Sequence, residues 1–229
     1  MVERRRASHG NSHMVRALPW HVGLRTARTD ADIHTALTQH SDAVQFTRPH
    51  NIAAEAARRL ASGEILGWLH GRMEYGPRAL GHRSILASPL SKEMKDVVND
   101  RIKHRERFRP FAGAVPLESV SDYFELDRAS PYMQFVVPVK KKRRIAYRRS
   151  FTSGLAARKT VDHREDPMFH ALLREFKKLT GCPLLLNTSF NDADEPIDCS
   201  PTDAVRTFLR TALDTLVIGP FLVQRKCTR

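Results

Sequence analysis

Cysteine, aromatic residues and long apolar runs are scarce in this sequence of 229 residues. Its three cysteines, Cys182, Cys199 and Cys227, cannot pair into a closed disulfide set and do not share the spacing of metal ligands. No stretch approaches the roughly 18 consecutive apolar residues of a membrane span, and the basic N-terminus lacks the apolar segment of a secretory signal. We therefore expect a cytoplasmic protein without a membrane partner, a disulfide framework or a metal site built from its own side chains.

Positive charge, by contrast, is abundant. The 38 lysines and arginines outnumber the 25 acidic residues and give a formal net charge of +13. Such a surplus favours anionic ligands such as phosphates, nucleotides or nucleic acid. Many of the cations lie in the basic run Lys140–Arg149, however, and a solvated loop explains a local run as well as a nucleic-acid-binding surface does.

Hydrophobic periodicity divides the chain into a leader or linker, residues 1–50, and one domain, residues 51–229. Within the leader, residues 30–40 can form a short helix. Apolar stripes and cap residues predict helices over residues 52–62, 91–102 and 167–179 and from Ser200 onward. Short apolar runs predict strands over residues 64–69, 108–115, 132–139, 183–186, 216–218 and 221–224. Because these elements alternate irregularly, the pattern favours an α/β fold with a mixed sheet and flanking helices.

A glycine-rich loop follows the predicted strand at residues 64–69. Its three glycines let the backbone approach a ligand closely, and its three arginines have guanidinium groups suited to phosphate. The arginines are Arg72, Arg78 and Arg83. The spacing matches neither the P-loop nor the dinucleotide fingerprint. An irregular turn with solvated arginines explains the same residues equally well.

Five cations occupy alternate positions from Arg101 to Arg109. If this segment is extended, all five share one side, an arrangement that an anion would justify. Alternatively, residues 101–103 end the preceding helix, where cations suit the helix dipole, and the others are solvated. Arg109 lies between apolar neighbours, which predicts a semi-buried, paired guanidinium group and makes it the better candidate for function.

Small polar side chains follow the predicted strand at residues 183–186. Asn187, Ser189 and Asn191 can hold a phosphate or ribose at the end of a strand, or they can form a turn that satisfies its own backbone. Nothing in the sequence indicates a nucleophile. The chemistry indicated is the positioning and charge neutralisation of anions.

Five segments, in order, resemble the C-terminal domain of the carbamoyltransferase family that modifies antibiotics and nodulation factors. They are GRMEYGPRALGHRSIL, RIKHRERFRPFAGAV, SPYMQFVVPV, TGCPLLLNTSFNDADEPI and SPTDAVRTFLRTALDTLVIGPFLV. The resemblance covers about residues 53–223. It implies a YrdC-like α/β fold that takes carbamoyl phosphate and ATP with Mg²⁺ and makes an enzyme-held carbamoyl adenylate.

The resemblance also implies roles for individual residues. Arg78, Lys103 and Arg109 match the family's phosphate-binding cations, and Lys103 and Arg109 are the expected catalytic residues. The polar strand-end loop of the family is matched by Asn187, Ser189 and Asn191. Together with Arg72, Arg83 and Arg158, these residues make up the expected binding site.

Two departures from the family pattern stand out. A segment like THVDGTAR is replaced by residues 150–157, and Arg158 is expected to substitute for its final arginine. The family's N-terminal half, which has a Kae1-like fold and transfers the carbamoyl group to an acceptor hydroxyl, has no counterpart before residue 50. A separate Kae1-like subunit is therefore an expected partner. The alternatives are a nucleic-acid-binding module that uses Lys140–Arg149, and an inactive remnant.

Overall fold

The computed structural model of the chain describes residues 28–109, 111–140 and 155–226. The α-helices are α1 (Asp30–Thr38), α2 (Ile52–Ala61), α3 (Met94–Val98), α4 (Val120–Tyr123), α5 (Pro167–Thr180) and α6 (Pro201–Arg210). The strands are β1 (Val44–Thr47), β2 (Leu66–Leu69), β3 (Arg83–Ala87), β4 (Ala112–Pro116), β5 (Val136–Pro138), β6 (Leu155–Val161), β7 (Leu185–Ser189), β8 (Thr215–Ile218) and β9 (Phe221–Arg225). A π-helix, Asn99–Lys103, continues α3 directly.

The strands form a nine-stranded sheet in the order β1-β9-β8-β2-β3-β7-β4-β6-β5. β2 pairs in parallel with β8, and β4 with β6, whereas the other neighbours are antiparallel. β3 lies at the centre of this order and is buried along its whole length. The predicted α/β fold with a mixed sheet is therefore confirmed.

Two helix pairs cover the sheet. α2 packs against α5 through buried apolar side chains such as Ala56, Leu60 and Phe176, and α1 packs against α6. α2 and α6 both contact β2 and β8, and α5 contacts β4. One hydrophobic core thus runs between the sheet and its helices. No helix in the described ranges is both long and apolar enough to cross a bilayer.

The caps of α5 and α6 form as the sequence predicts, whereas the helix predicted to begin at Ser91 begins at Met94 and has no side-chain cap. Asp166 accepts a hydrogen bond from the backbone N–H of Phe169 at the start of α5, and Gly181 ends that helix in the left-handed conformation, with φ 73°. At α6, Ser200 and Asp203 form a capping box ahead of the first turn. These local signals fix where the two helices begin and end.

The sheet extends further toward the N-terminus than a division at residue 50 predicts. β1 pairs with β9 across the edge of the sheet, with Val44 opposite Arg225 and Thr47 opposite Leu222. The short helix expected at residues 30–40 is present as α1, which is capped by Thr29. Residues 30–47 are thus part of the folded domain rather than of a leader.

Three strand boundaries also differ from the prediction. The strand predicted at residues 108–115 begins only at Ala112, because a turn at residues 107–108 precedes it. The strand predicted at residues 132–139 is reduced to β5. β7 begins later than the predicted strand at 183–186 and ends at Ser189, so Asn187 and Ser189 lie within the strand rather than after it.

Candidate functional site

The end of α3 positions the first functional side chain. The helix widens into the π-helix Asn99–Lys103, and His104 then takes a left-handed conformation with φ 44°. π-helical turns are rare and occur frequently at functional sites. The turn directs Lys103 inward, so that it is 7% exposed, whereas Arg101 is exposed. Residues 101–103 thus end a helix, as one interpretation predicts, and the alternative of an extended segment with five cations on one side is wrong.

Lys103 is anchored to the end of β7. Its ammonium group donates hydrogen bonds to the backbone oxygens of Ser189 at 2.9 Å and Asn191 at 3.0 Å, and to Oδ1 of Asn191 at 2.5 Å. Oγ of Ser189 donates to the same Oδ1 at 2.7 Å. Three residues predicted for the site from the sequence therefore meet in one hydrogen-bonded cluster.

The charge on Lys103 is only partly compensated in this cluster. Burial, and then the nearby positive charge of Arg105, lower the pKa of Lys103 to about 8, while the carboxyl groups of Asp198 and Asp192 oppose the shift. An anion bound beside the ammonium group would raise this pKa again, because the charged form would gain a partner. The lysine is thus a cation at neutral pH, in surroundings that favour the arrival of negative charge.

A cavity of about 670 Å³ opens beside Lys103 and is called the Lys103 cleft. It is lined by Arg105 and Arg109 on one side and by Ser189 and Asn191 on the other. The remaining lining residues are Asp100, Lys103, His104, Glu106, Asp192, Ala193 and Asp194. Three cations, two polar side chains of the strand end and several carboxylates therefore share one concave surface.

Arg105 belongs to this cleft although the sequence did not single it out. Its Nε donates to Oδ1 of Asn99 at 2.8 Å, and its guanidinium carbon lies 4.8 Å from the centre of the Phe111 ring. Burial lowers its pKa. The sequence feature that could have identified Arg105 as a site residue is its position two residues after Lys103, in the same cationic segment.

Arg109 lines the cleft but is not semi-buried, so that part of the prediction is wrong. Its side chain is 54% exposed, and its Nε pairs with Glu106 at 2.8 Å. The reason is the turn at residues 107–108, which carries Phe108 and Arg109 outward before β4 begins. The predicted ion pair is present, at the surface rather than in the core.

The arginines of the glycine-rich loop divide into two kinds. Arg83 is buried in β3, and its guanidinium group donates to the carbonyl oxygens of His70 at 3.0 Å, Gly71 at 3.3 Å and Cys199 at 3.5 Å. It therefore holds the loop in place. Arg72 and Arg78 are exposed on the loop and do not line the Lys103 cleft.

An acidic residue that the sequence did not single out organises this loop. Oε1 of Glu74 accepts hydrogen bonds from the backbone N–H groups of Leu80 at 2.8 Å, His82 at 2.7 Å and Arg83 at 3.1 Å. A buried carboxylate that accepts several backbone hydrogen bonds fixes the path of a loop. Glu74 thus shapes the segment that carries Arg78.

The remaining predicted site residues lie inside the fold. Asn187 is buried on β7 and donates to the carbonyl oxygen of Ala79 at 3.0 Å, which ties the strand to the glycine-rich loop. Arg158 is buried on β6, 4.2 Å from the centre of the Phe124 ring, and burial lowers its pKa to about 9. Residues 141–154, which contain most of the basic run and of the departure from the family pattern, are outside the described residues.

A second cavity, of about 690 Å³, lies between loop residues 73–76 and α6, and is called the Tyr75 cavity. Asp198 lines it, and Oδ1 of this carboxyl accepts a hydrogen bond from Thr207 at 3.0 Å. Burial raises the pKa of Asp198 to about 7. The two cavities are adjacent: the side-chain amide of Asn191, which lines the Lys103 cleft, donates to the carbonyl oxygen of Glu195, which lines the Tyr75 cavity, at 2.5 Å.

Relatives of this chain are found among proteins of known sequence. The family described as Carbamoyltransferase C-terminus matches residues 57–225. The nodulation protein NolO of Bradyrhizobium diazoefficiens is 44% identical over 194 residues, which cover 83% of this chain and 35% of NolO. The 3'-hydroxymethylcephem-O-carbamoyltransferase of Amycolatopsis lactamdurans is 34% identical over 173 residues, which cover 75% of this chain and 32% of that protein. The chain thus spans about a third of the length of these relatives.

The fold resembles that of solved structures, among them HypF. Full-length HypF, crystallised in a phosphate- and nucleotide-bound form, aligns with 76% of this chain and 22% of its own length, with a TM-score of 0.53 and 17% sequence identity. At this identity the likeness concerns the fold alone. It confirms the predicted YrdC-like α/β architecture.

Proposed function

The chain belongs to the carbamoyltransferase C-terminal family, and we propose that it binds carbamoyl phosphate and ATP in the Lys103 cleft and forms carbamoyl adenylate there. The observation that carries this proposal is the buried ammonium group of Lys103, fixed by Ser189 and Asn191 at the wall of a cavity that Arg105 and Arg109 also line. The resemblance matches Lys103 to the family's phosphate-binding cations and Ser189 and Asn191 to its polar strand-end loop, and the three residues lie together in the fold.

The proposed reaction has two displacement steps. In the first, water hydrolyses the linkage between the carbamoyl group and the phosphate, which gives carbamate, inorganic phosphate and a proton. In the second, a carbamate oxygen attacks the α-phosphorus of ATP. The bond between the α-phosphorus and the bridging oxygen breaks, and pyrophosphate leaves. Apart from water, the reactants and the carbon- and phosphorus-containing products of these steps are anions, so the protein contributes most by neutralising and positioning charge.

Each cation of the cleft has a distinct part in this proposal. Lys103 supplies a fixed, protonated ammonium group at neutral pH. Arg105 is held by Asn99 and Phe111, so its guanidinium group is preorganised, whereas the exposed Arg109 can exchange Glu106 for a phosphate. The exposed Arg78 on the glycine-rich loop is a further candidate for contact with phosphate.

The donor set of the cleft also fits Mg²⁺ carried by ATP. Among the described residues, no cluster of three or more His, Cys, Asp or Glu side chains can hold a metal ion by itself. Mg²⁺ in nucleotide sites is commonly bound by one or two carboxylates together with the phosphates, and Asp192 and Asp194 line the cleft. We propose that these two carboxylates hold the ion, which would neutralise phosphate charge.

Transfer of the carbamoyl group to an acceptor hydroxyl is assigned to a Kae1-like part, in the same or another polypeptide. This proposal is supported by the relatives, which are about three times as long as the matched region. The acceptor would be chosen there rather than in the Lys103 cleft.

Pyrophosphate exchange tests the proposal directly. The chain is expected to incorporate radiolabelled pyrophosphate into ATP when carbamoyl phosphate is present and not when it is omitted. Calorimetric titrations with ATP and with carbamoyl phosphate measure binding independently of turnover. Failure to bind either compound at millimolar concentration would exclude the proposed site and favour an inactive remnant.

A further inference from the structure

His82 lies where the glycine-rich loop returns to the sheet, immediately before β3 begins at Arg83. Its ring joins the two arms of this loop, because Nδ1 lies 2.6 Å from the backbone oxygen of Arg72. Nε2 faces a different element, at 3.5 Å from Oδ2 of Asp166, the residue that caps α5. One imidazole ring thus connects the outgoing arm of the loop, its returning arm and the start of a helix.

Both ring nitrogens of His82 face oxygen atoms that accept hydrogen bonds. A neutral imidazole has one N–H and one lone pair, so it can donate to only one of the two oxygens. The backbone oxygen of Arg72 has no hydrogen to donate, and a lone pair on Nε2 would be repelled by the carboxylate of Asp166. Only the imidazolium form, with an N–H on both nitrogens, suits both neighbours. The geometry therefore favours a positively charged His82.

The carboxylate of Asp166 needs positive charge beside it. Its Oδ1 accepts the hydrogen bond from the N–H of Phe169, whereas Oδ2 is buried and has no hydrogen-bond partner among the described residues. A buried carboxylate oxygen in this situation is costly unless a cation lies close to it. The ring of His82 lies within ion-pair distance of that oxygen and is placed to supply the charge.

Several elements bring titratable and charged groups toward His82. They are Asp166 at the start of α5, Glu74 in the loop, His70 just after β2, Arg83 on β3 and, through its attraction to both carboxylates, Lys159 on β6. Burial disfavours the charged ring, but attraction to the carboxylates of Asp166 and Glu74 outweighs it and raises the pKa of His82. Burial lowers the pKa of His70 instead. His82 is thus the histidine of this pair that keeps its proton to higher pH.

Arg78 lies on the loop between the two points that His82 joins. The segment that carries it is tied to the fold at Ala79, whose backbone oxygen accepts a hydrogen bond from Asn187, and its own side chain is exposed. His82 lines neither the Lys103 cleft nor the Tyr75 cavity. Any effect of its charge on a ligand in these cavities must therefore pass through the loop.

We propose that His82 is a positioning residue, whose protonated ring ties the glycine-rich loop to the start of α5 and thereby holds Arg78 in place for a phosphate. A neutral ring keeps only one of the two contacts. The tie is fully formed below about pH 6.5, where an unfolded histidine is also protonated, and is lost as the pH rises through the higher pKa of the folded state. The phosphate ligand rests on the proposed function, whereas the charge of His82 is a property of the free protein.

Nuclear magnetic resonance of the imidazole nitrogens tests the charge of His82 without a ligand. Both nitrogens should carry a proton at about pH 6.5, and the ring should lose one of them at higher pH than a histidine in an unfolded peptide. Asp166→Asn retains an oxygen that can cap α5 but removes the charge, so it should lower the pKa of His82. A ring that is neutral at about pH 6.5, or one that does not respond to Asp166→Asn, would overturn the proposal.

Calorimetric titration with ATP tests the effect on Arg78. At about pH 6, His82→Gln should bind ATP about fivefold more weakly than wild type, a part of the contribution of one charged hydrogen bond. The ratio should approach one at about pH 9, where the wild-type ring is neutral too. Lys103, whose pKa is about 8, is present in both proteins, so its titration cancels in this ratio. In an Arg78→Met background, His82→Gln should have no further effect.

His163→Gln is the matched control, because the exposed ring of His163 also lies beside an aspartate, 3.4 Å from Asp162. It should bind ATP like wild type at both pH values. An equal loss in His82→Gln at both pH values, or a loss that persists beside Arg78→Met, would show a merely structural role and overturn the proposal.

A wild type that binds no ATP would overturn the proposed function, and hydrogen exchange then decides the role of His82. At about pH 6 the backbone amides of residues 72–78 should exchange faster in His82→Gln than in wild type, because the tie between the two arms is lost. Equal exchange rates in the two proteins would show that the ring does not hold the loop.

Discussion

The ammonium group of Lys103 donates a hydrogen bond to the side-chain oxygen of Asn191 at 2.5 Å, although 88 positions separate the two residues. This bond joins the π-helical end of one segment to the loop that follows β7. The cation and the polar groups of the cleft are thereby fixed before a ligand arrives. Preorganisation of this kind spares binding the cost of ordering side chains.

The first prediction concerns the charge of Lys103. Lys103→Met should weaken binding of carbamoyl phosphate and ATP by about 1.5–3 kcal/mol, the scale of a hydrogen bond to a charged group. It should also lower the melting temperature, because Ser189 and Asn191 lose their donor. Calorimetry and thermal unfolding measure the two effects. Arg101→Met, an exposed change in the same helical turn, is the control, and normal affinity in Lys103→Met would refute a role in binding.

Removal of the Arg109 charge should affect binding without affecting stability. Because Arg109 is exposed and paired only at the surface, Arg109→Gln should leave the free energy of unfolding within about 0.5 kcal/mol of wild type. Its affinity for carbamoyl phosphate should fall by about 1.5–3 kcal/mol. Arg107→Gln provides a matched comparison, since Arg107 is also exposed and pairs with Asp100. Equal losses in both variants would indicate a general effect of charge rather than a specific contact.

The pH dependence of stability should reveal the buried carboxyl group of Asp198. Its pKa is raised from 3.8 to about 7 in the folded state, so the folded protein binds a proton that the unfolded chain has released. Protonation of Asp198 therefore stabilises the folded state fully below about pH 4, and this stabilisation is lost as the pH rises to 7. Asp198→Asn should remove it. In urea denaturation, the free energy of unfolding of the variant should rise relative to that of wild type as the pH increases from 5 to 8. A difference between the two proteins that did not change with pH would contradict the assignment.

Substitution of Arg83 and of Arg78 should affect different properties, stability and ATP binding respectively, although the sequence places both arginines in the glycine-rich loop. Arg83→Met should lower the free energy of unfolding by about 3 kcal/mol, because the carbonyl oxygens of His70 and Gly71 lose a buried donor. Arg78→Met changes an exposed side chain and should leave stability unchanged while weakening ATP binding. Denaturation and calorimetry on both variants separate the two roles. A stable Arg83→Met variant would show that its contacts contribute little.

Local signals in the sequence were sufficient for the class of fold and for most of the helices, but α4 was not predicted and α3 begins at Met94 rather than at Ser91. Asp166, Pro167 and Gly181 delimit α5 through interactions within a few residues, so the sequence near each end encodes its position. Three strands, β1, β3 and β6, were not predicted. A four-residue edge strand such as β1 has too little pattern of its own. Its place depends on β9, which lies far along the chain.

The candidate site was predicted in part, and mainly through the family resemblance. Lys103, Ser189 and Asn191 come together as the resemblance implies, but no periodicity in the sequence connects them. The burial of a side chain cannot be predicted from its sequence neighbours alone. For this reason the prediction that Arg109 is semi-buried was wrong. The buried carboxyl groups of Glu74 and Asp198 were overlooked as well, although their hydrogen-bond partners lie within nine residues of them, because the sequence around them does not mark them as buried.

The π-helical turn has a consequence for how this protein can change over evolution. A π turn accommodates about one more residue than an α-helical turn, and each residue rotates the following side chains by about 100° around the axis. Deleting Arg101 would swing the ammonium group away from β7 while leaving every residue of the cleft in the sequence. The placement of Lys103 is therefore set by the length of its helix, so insertions and deletions there are more damaging than most substitutions.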